Sequence, residues 1–217
     1  MTEARDSARG EATQGSDYTE RLAHLEGARW KQLLDVQAPY RWNLRRLQLG
    51  RTLDVGCGIG RNLAALDDAV GVDHNATSIS TARQRGLRAW TTQEWPDCAD
   101  AIEDHYDAML LAHVLEHVQA AEGDEIIREY LPYLRDNARL VLICPQEKGY
   151  TTDATHVRFV DLEAMVATAE RLGFRLERGY SFPFPRLAGR VFPYNEFVVV
   201  ARRVGEAAGT DVPSSGG

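Results

Sequence analysis

From Gly50 onward, short apolar runs alternate with stretches whose apolar residues recur at helical spacing. The apolar runs predict seven strands: Thr52–Val55, Ala69–Val72, Leu87–Trp90, Tyr106–Ala112, Leu140–Cys144, Phe174–Tyr180 and Glu196–Arg202. The helical stretches are Asn62–Leu66, Ser78–Arg85, Asp124–Leu134 and Leu162–Leu172. This alternation predicts an α/β fold, with helices on both faces of a mostly parallel sheet. In such sheets the ligand lies beyond the carboxyl ends of the strands, so residues that directly follow the strands are the functional candidates.

Before Gly50 the pattern is helical. Residues 17–48 carry one apolar face at helical spacing, and Pro39 interrupts it. Residues 1–16 and 205–217 are small, polar and without a period, which predicts two disordered tails. The interval 17–204 is therefore expected to form a single domain, with residues 17–48 as its N-terminal helices.

Composition narrows the class of protein. The chain has 217 residues and a formal net charge of -7, which argues against a nucleic-acid partner held by bulk charge. No apolar run approaches the roughly 18 residues that span a bilayer, and the polar first residues lack the apolar segment of a secretory signal. Three cysteines without a CxxC pair are typical of reduced thiols, so we expect a cytoplasmic protein. We also expect the protein to be a monomer or a homodimer.

A glycine cluster follows the first predicted strand. It reads Gly56-Cys57-Gly58-Ile59-Gly60, and Asp73 ends the second strand. Glycine allows positive φ and a close approach of the backbone to a ligand, and an acid at this place can accept hydrogen bonds from ribose hydroxyls. The spacing is GxGxG and lacks the third glycine of the GxGxxG dinucleotide pattern, so a nicotinamide oxidoreductase is the less favoured interpretation.

Three segments together carry a resemblance. LDVGCGIGRNL, VGVDHN and LLAHVLEHV resemble the class I S-adenosylmethionine-dependent methyltransferases, over roughly residues 48–202. The LEHV segment resembles the small-molecule and sugar-type branch of that family. The resemblance implies a Rossmann-like, doubly wound sheet of seven strands whose last strand is antiparallel, with S-adenosylmethionine lying over the glycine loop.

The resemblance also implies which residues hold the cofactor. Asp54 would face the amino group of the cofactor, directly or through water, and Gly56 and Gly58 would pass under its methionine part. Cys57 would contribute its backbone. The full implied set is Asp54, Gly56, Cys57, Gly58, Gly60, Asp73, His74, Thr92, Gln93, Ala112 and His113.

On the adenosine side, Asp73 would hold the ribose and His74 would lie against the adenine. The family usually places an acid after the third strand to hold the adenine amino group. This sequence has Thr92 and Gln93 there instead, and either could replace the acid.

The histidines are candidates for chemistry on the acceptor. Residues 113–117 spell HxxEH, which is also an inverted zinc-peptidase motif, but the string directly follows a buried strand and a zinc site would leave Asp73 without a role. We therefore expect no metal, and we expect His117 to be a capping or packing residue. His113 follows the fourth strand, and His156 lies in segment 146–158 after the fifth, which overhangs the cleft in this family. Either is a candidate general base.

The expected function is methyl transfer from S-adenosylmethionine to a small acceptor. A hydroxyl of a sugar or glycan, a lipid or a natural product is preferred, with His113 and His156 as catalytic candidates. The aromatic, Pro-rich segment 181–195 could form an apolar lip around this acceptor, which could be lipid-linked, or an interface with a second subunit. The alternative is a non-catalytic module of the same fold that binds the cofactor or a partner.

Overall fold

A computed structural model describes residues 37–204, which form one seven-stranded sheet in the order β3-β2-β1-β4-β5-β7-β6. The strands are β1 Thr52–Val55, β2 Ala69–Asp73, β3 Ala89–Thr91, β4 Tyr106–Ala112, β5 Leu134–Pro145, β6 Phe174–Phe182 and β7 Glu196–Arg203. The predicted tails 1–16 and 205–217, and the predicted helix before residue 37, lie outside the described residues.

The described helices are α1 Ala38–Arg46, α2 Ala76–Gln84, α3 Ala120–Tyr130, the single turn α4 Glu147–Tyr150, and α5 Leu162–Arg171. Proline is tolerated in the first turn of a helix, so α1 begins at Ala38 with Pro39 just inside it. The side chain of Asn75 caps α2 by accepting the N–H groups of Thr77 and Ser78, and Asp161 caps α5 in the same way.

The sheet has the predicted topology. Strands β1 to β5 pair in parallel, whereas β7 runs antiparallel to both β5 and β6. This confirms the doubly wound, Rossmann-like sheet with an antiparallel last strand. The strand order reverses between β1 and β4, so the crevice of the sheet opens where these two strands end.

The two faces of the sheet bury separate apolar layers. Along β4 the residues alternate, with Met109 and Leu111 in one layer and Ala108 and Leu110 in the other. The first layer packs against α3 and α5, and the second lies under α1. A central strand that is buried on both faces has a continuous run of apolar residues, so its position can be predicted from the sequence.

Two of the predicted helices differ from those in the structure. The helix expected over Asn62–Leu66 is one 3-10 turn, Leu63–Ala65, because the chain is already extended at Leu66 on its way back to β2. The helix expected over Asp124–Leu134 begins and ends four residues earlier. Its expected end contains Pro132, which lies in a separate 3-10 turn, and Leu134 already begins β5.

Candidate active site

The glycine loop folds back onto the neighbouring strand. The N–H groups of Gly56 and Cys57 both donate to the carbonyl of Val72, at 2.8 and 3.1 Å. The carbonyl of Cys57 accepts the N–H of Gly60 at 3.0 Å. The backbone of Cys57 therefore holds the loop in shape, and its buried thiol has a pKa raised well above the usual range, because burial and then the charges of nearby acids disfavour a thiolate.

Asp54, at the end of β1, is the least satisfied polar group of the loop. Its side chain is fully buried, and neither carboxylate oxygen has a hydrogen-bond partner among the described residues. Burial, reinforced by the charge of Asp73, raises the pKa of Asp54 to about 8. A buried carboxylate without a partner costs free energy, so its presence here indicates that a positively charged or hydrogen-donating ligand completes it.

The glycines of the loop differ in what surrounds them. All three have positive φ, but a Cβ at Gly56 would lie 2.4 Å from Val114 Cγ2, and one at Gly60 would lie 2.3 Å from Leu87 Cδ1. A Cβ at Gly58 would meet nothing within 4 Å. Gly56 and Gly60 are therefore required by packing, whereas Gly58 borders open space where a bound cofactor would lie.

Asp73 joins the loop to the end of β2. Its Oδ2 accepts the N–H of Gly58 and its Oδ1 the N–H of Asn75, both at 2.8 Å. Each carboxylate oxygen has a second lone pair, so ribose hydroxyls can still donate to it. The orphaned Asp54, the open space at Gly58 and this carboxylate fit the amino group, the methionine chain and the ribose of S-adenosylmethionine.

The adenine candidates lie beyond Asp73. The half-exposed ring of His74 has Nδ1 3.6 Å from Asp73 Oδ1. The N–H of Thr92 donates to the carbonyl of Asp73 at 3.1 Å, which brings the end of β3 beside the ribose acid. The side chain of Gln93 is exposed. The structure thus gathers His74 and Thr92 around Asp73 and leaves Gln93 at the surface.

Ala112 ends β4, and His113 follows it in a left-handed conformation with φ of 60°. The His113 ring lies between two acids, with Nδ1 3.2 Å from Glu116 Oε1 and Nε2 2.8 Å from Glu196 Oε1. Desolvation alone would lower the pKa of His113, but the hydrogen bonds to Glu116 and Glu196 raise it to about 10. A histidine that is protonated at neutral pH cannot accept a proton, so this geometry argues against His113 as the general base.

His156 reaches the same region from the loop after β5. Its Nδ1 lies 2.7 Å from the carbonyl of Tyr150, and its ring stacks on that tyrosine. The ring of His117 lies 4.8 Å from that of His156, centroid to centroid, and its Nδ1 is 3.2 Å from Thr155 Oγ1. His117 therefore packs as expected, and its pKa is lowered, first by burial. His117 and His156 are therefore neighbours in the structure although they are far apart in the sequence.

The segment between β6 and β7 is anchored by a buried amide pair. Asn195 Nδ2 donates to Gln146 Oε1 at 3.0 Å, and Gln146 Nε2 donates to Ser181 Oγ at 2.8 Å. The outward side of the segment carries exposed apolar side chains: Phe184, Leu187, Val191 and Tyr194. This arrangement is compatible with both alternatives from the sequence analysis, an apolar lip around the acceptor and an interface with a second subunit.

The sequence analysis does not single out the two acids that contact His113. Glu116 was seen only as part of a rejected zinc motif, and Glu196 only as the start of a strand. Glu196 lies at the carboxyl edge because β7 runs antiparallel beside β5 and its first residue pairs with Pro145. No helix among residues 37–204 is long and apolar enough to cross a membrane.

Comparisons with known proteins agree with this geometry. Residues 53–140 match a family model described as a methyltransferase domain. A methyltransferase from Archaeoglobus fulgidus superposes with a TM-score of 0.59 at 18% identity, over 76% of this chain and 93% of that one. Magnesium protoporphyrin IX methyltransferase from Synechocystis, with bound S-adenosylhomocysteine, superposes with a TM-score of 0.62 at 17% identity, over 89% of this chain and 97% of that one.

A TehB-like methyltransferase from Corynebacterium glutamicum gives a TM-score of 0.56 at 22% identity, over 87% of this chain and 99% of that one. No curated protein sequence matches the chain. The superpositions establish the fold, and the domain model adds the activity to it. Together with the glycine loop and its two acids, the methyltransferase domain matched over residues 53–140 and the fold shared with S-adenosylmethionine-dependent methyltransferases support an enzyme of that class.

Proposed function

We propose that the enzyme transfers the methyl group to a hydroxyl of a small acceptor, a sugar or glycan, a lipid or a natural product. The carrying observation is the position of His156 above the carboxyl edge of the sheet. Its Nδ1 donates to the carbonyl of Tyr150, which leaves Nε2 with a lone pair to accept the proton that a hydroxyl loses on methylation.

The cofactor residues of the proposal are those around the glycine loop. Asp54 would pair with the amino group, Gly58 would face the methionine chain, and Asp73 would accept from the ribose hydroxyls. His74 and Thr92 would border the adenine. When bound, S-adenosylmethionine supplies a methyl group on a positively charged sulfur that is already a good leaving group.

The contribution of the protein is then mainly alignment. Holding the acceptor oxygen in line with the methyl group can be worth on the order of 7–11 kcal/mol. His113, fixed between Glu116 and Glu196, would border the methyl group as a positioning residue rather than a base. Its positive charge is compensated by the two carboxylates, so it adds no net repulsion toward the cofactor.

The exposed aromatic segment supports an acceptor with an apolar part. Phe184 and Tyr194 both contact Phe192, forming a row of rings on segment 181–195. A sugar, a lipid-linked glycan or an aromatic natural product could pack on such a row. The same surface would serve a homodimer, and we place the protein in the cytoplasm in either case.

The experiment is a turnover assay with acceptors matched in shape. The purified chain would be mixed with S-adenosylmethionine and with two matched sets of acceptors, a sugar with its amino and thio analogues and a phenol with its aniline and thiophenol analogues, and S-adenosylhomocysteine would be measured. We expect turnover with hydroxyl compounds, and a 10²–10⁴-fold lower turnover in His156→Ala with cofactor affinity unchanged. Turnover confined to amines or thiols would refute the acceptor, and full activity of His156→Ala would refute the base.

A further inference from the structure

Three side chains that can bind a metal meet beside the turn after β4. One potential ligand atom from each of Glu116, His117 and His156 lies within 4.8 Å of the other two. Glu116 and His117 are neighbours in the 3-10 turn Leu115–His117, whereas His156 belongs to the loop after β5. The N–H of Val157 donates to the carbonyl of Glu116 at 2.8 Å, which fastens this loop onto the turn.

Glu116 keeps one carboxylate oxygen free of strong hydrogen-bond donors among residues 37–204. The side chain is fully buried, its Oε1 accepts from His113, and its Oε2 has no hydrogen-bond partner among residues 37–204. Cys144 can offer Glu116 its thiol, which is only a weak donor.

Both histidines are oriented as metal ligands usually are. The hydroxyl of Thr155 donates to Asp153 Oδ1 at 2.8 Å, so toward His117 Nδ1 it can only accept. His156 Nδ1 donates to the carbonyl of Tyr150. In each ring the hydrogen is therefore on Nδ1, and Nε2 keeps a lone pair. Metal-bound histidines characteristically donate their other N–H to such an acceptor, which fixes the tautomer and the ring.

We propose that Glu116, His117 and His156 bind one divalent first-row transition-metal ion. Two imidazole nitrogens and one carboxylate, with no thiolate, suit ions such as Zn²⁺ and Mn²⁺. The two acids around His113 outnumber its one positive charge, so the surroundings favour a cation. Three protein ligands leave coordination positions open for water or a ligand oxygen, which is typical of catalytic rather than structural sites.

This proposal reverses the expectation drawn from the HxxEH string. That expectation rested on the string not lying in a long helix, and the structure indeed places it in a short turn. The third ligand comes instead from His156, and His113 orients Glu116 without being a ligand. The role of the ion in catalysis rests on the proposed function: an acceptor hydroxyl at an open position would have its pKa lowered by the ion. In the ion-bound enzyme His156 Nε2 would be a ligand, so the hydroxyl would lose its proton to solvent water, and the general-base role proposed above would apply to the ion-free site.

The experiment measures binding without cofactor or acceptor, so its result does not depend on the proposed methyl transfer. The full chain, stripped with a chelator, would be titrated calorimetrically with ZnCl₂ and separately with MnCl₂. We expect one ion per chain, at least tenfold weaker binding in His117→Ala and His156→Ala, and 10–100-fold weaker binding in Thr155→Val. The matched control is His105→Ala. His105 directly precedes β4, at the opposite end of that strand from Glu116, and its ring contacts Arg51.

Thermal melts would confirm that each variant is folded. The buried Glu116 is left unchanged, and His117→Ala and His156→Ala carry the test. Absence of heat with both ions in the folded wild-type chain would overturn the metal site, as would equal affinity in His117→Ala and His156→Ala. A chain that binds the ion through these residues but methylates only amines would uphold the metal site and refute the proposed acceptor.

Discussion

The proton on Asp54 should control how tightly the cofactor binds. Without a ligand the Asp54 carboxyl has a pKa of about 8, so it is largely protonated at neutral pH. Pairing with the ammonium group of the cofactor requires the ionised form. Binding at pH 7 should therefore release close to one proton, and the affinity should rise with pH up to about 8. Above that the amine of the cofactor loses its own proton, and the gain should end.

The size of the effect follows from the ionised fraction. With a pKa of about 8, roughly 1% of Asp54 is ionised at pH 6 and roughly half at pH 8. If only the ionised form binds, the apparent Kd equals the intrinsic Kd divided by that fraction. The affinity should then rise about 50-fold between pH 6 and pH 8, and less if the neutral carboxyl retains some hydrogen bonding.

The assay is calorimetry with S-adenosylhomocysteine in two buffers of different ionisation enthalpy, which gives the number of protons released. Asp54→Asn has nearly the same shape and no titration, so it should bind weakly, release no proton from this site and show little pH dependence below pH 8. Equal proton release and an equal pH slope in wild type and Asp54→Asn would refute the role assigned to this acid.

Other substitutions test the loop and its surroundings. The pKa of Asp54 in the folded chain exceeds the usual 3.8, so ionising this carboxyl lowers the free energy of unfolding of the cofactor-free protein as the pH rises from 4 to 8. Asp54→Asn should not show this loss of stability in denaturant titrations at different pH. Asp73→Ala should weaken cofactor binding by about 1–3 kcal/mol in calorimetry. Gly58→Val should block binding and, because Gly58 has a φ of 53°, also lower the melting temperature, whereas Gly56→Ala, with its Cβ 2.4 Å from a valine side chain, should lower the melting temperature through both φ and packing. Gly189→Ala would place its Cβ 1.8 Å from a buried glutamine oxygen, and we expect a loss of about 1–3 kcal/mol, or roughly 2–4 °C per kcal/mol in thermal melts.

The sheet could be predicted from the sequence because its central strands are buried on both sides. The predicted limits of Thr52–Val55 and Tyr106–Ala112 are those of β1 and β4, since each apolar run ends at a turn residue. The beginning of β5 was missed because Arg135, Asp136 and Asn137 are exposed and give no apolar signal. The hydrophobic pattern of a sequence indicates which residues are buried, so it does not predict the part of a strand whose side chains are exposed.

The candidate site divides in the same way. The cofactor half of the candidate site consists of residues around one loop and one acid, and the local pattern together with the family resemblance was enough to propose them. The acceptor half depends on contacts across the fold. His113 meets Glu196 from 83 positions away, and His117 meets Thr155 from 38. Such pairs depend on which strand neighbours which, and one sequence does not specify the partner of a charged side chain.

The turn after β4 couples these two halves. Val114 packs against Gly56 of the cofactor loop so closely that no Cβ fits between them, and two residues later Glu116 anchors both His113 and the loop that carries His156. The left-handed backbone of His113 is unusual for a residue with a side chain, and it is maintained by the bonds its ring makes on both sides. A shift in this turn would therefore move the cofactor loop and the histidine pair together. With the cofactor over the glycine loop and the acceptor beside His156, as proposed, this one short turn would set the spacing between methyl donor and acceptor, and the buried Glu116 would contribute to it whether or not it binds an ion.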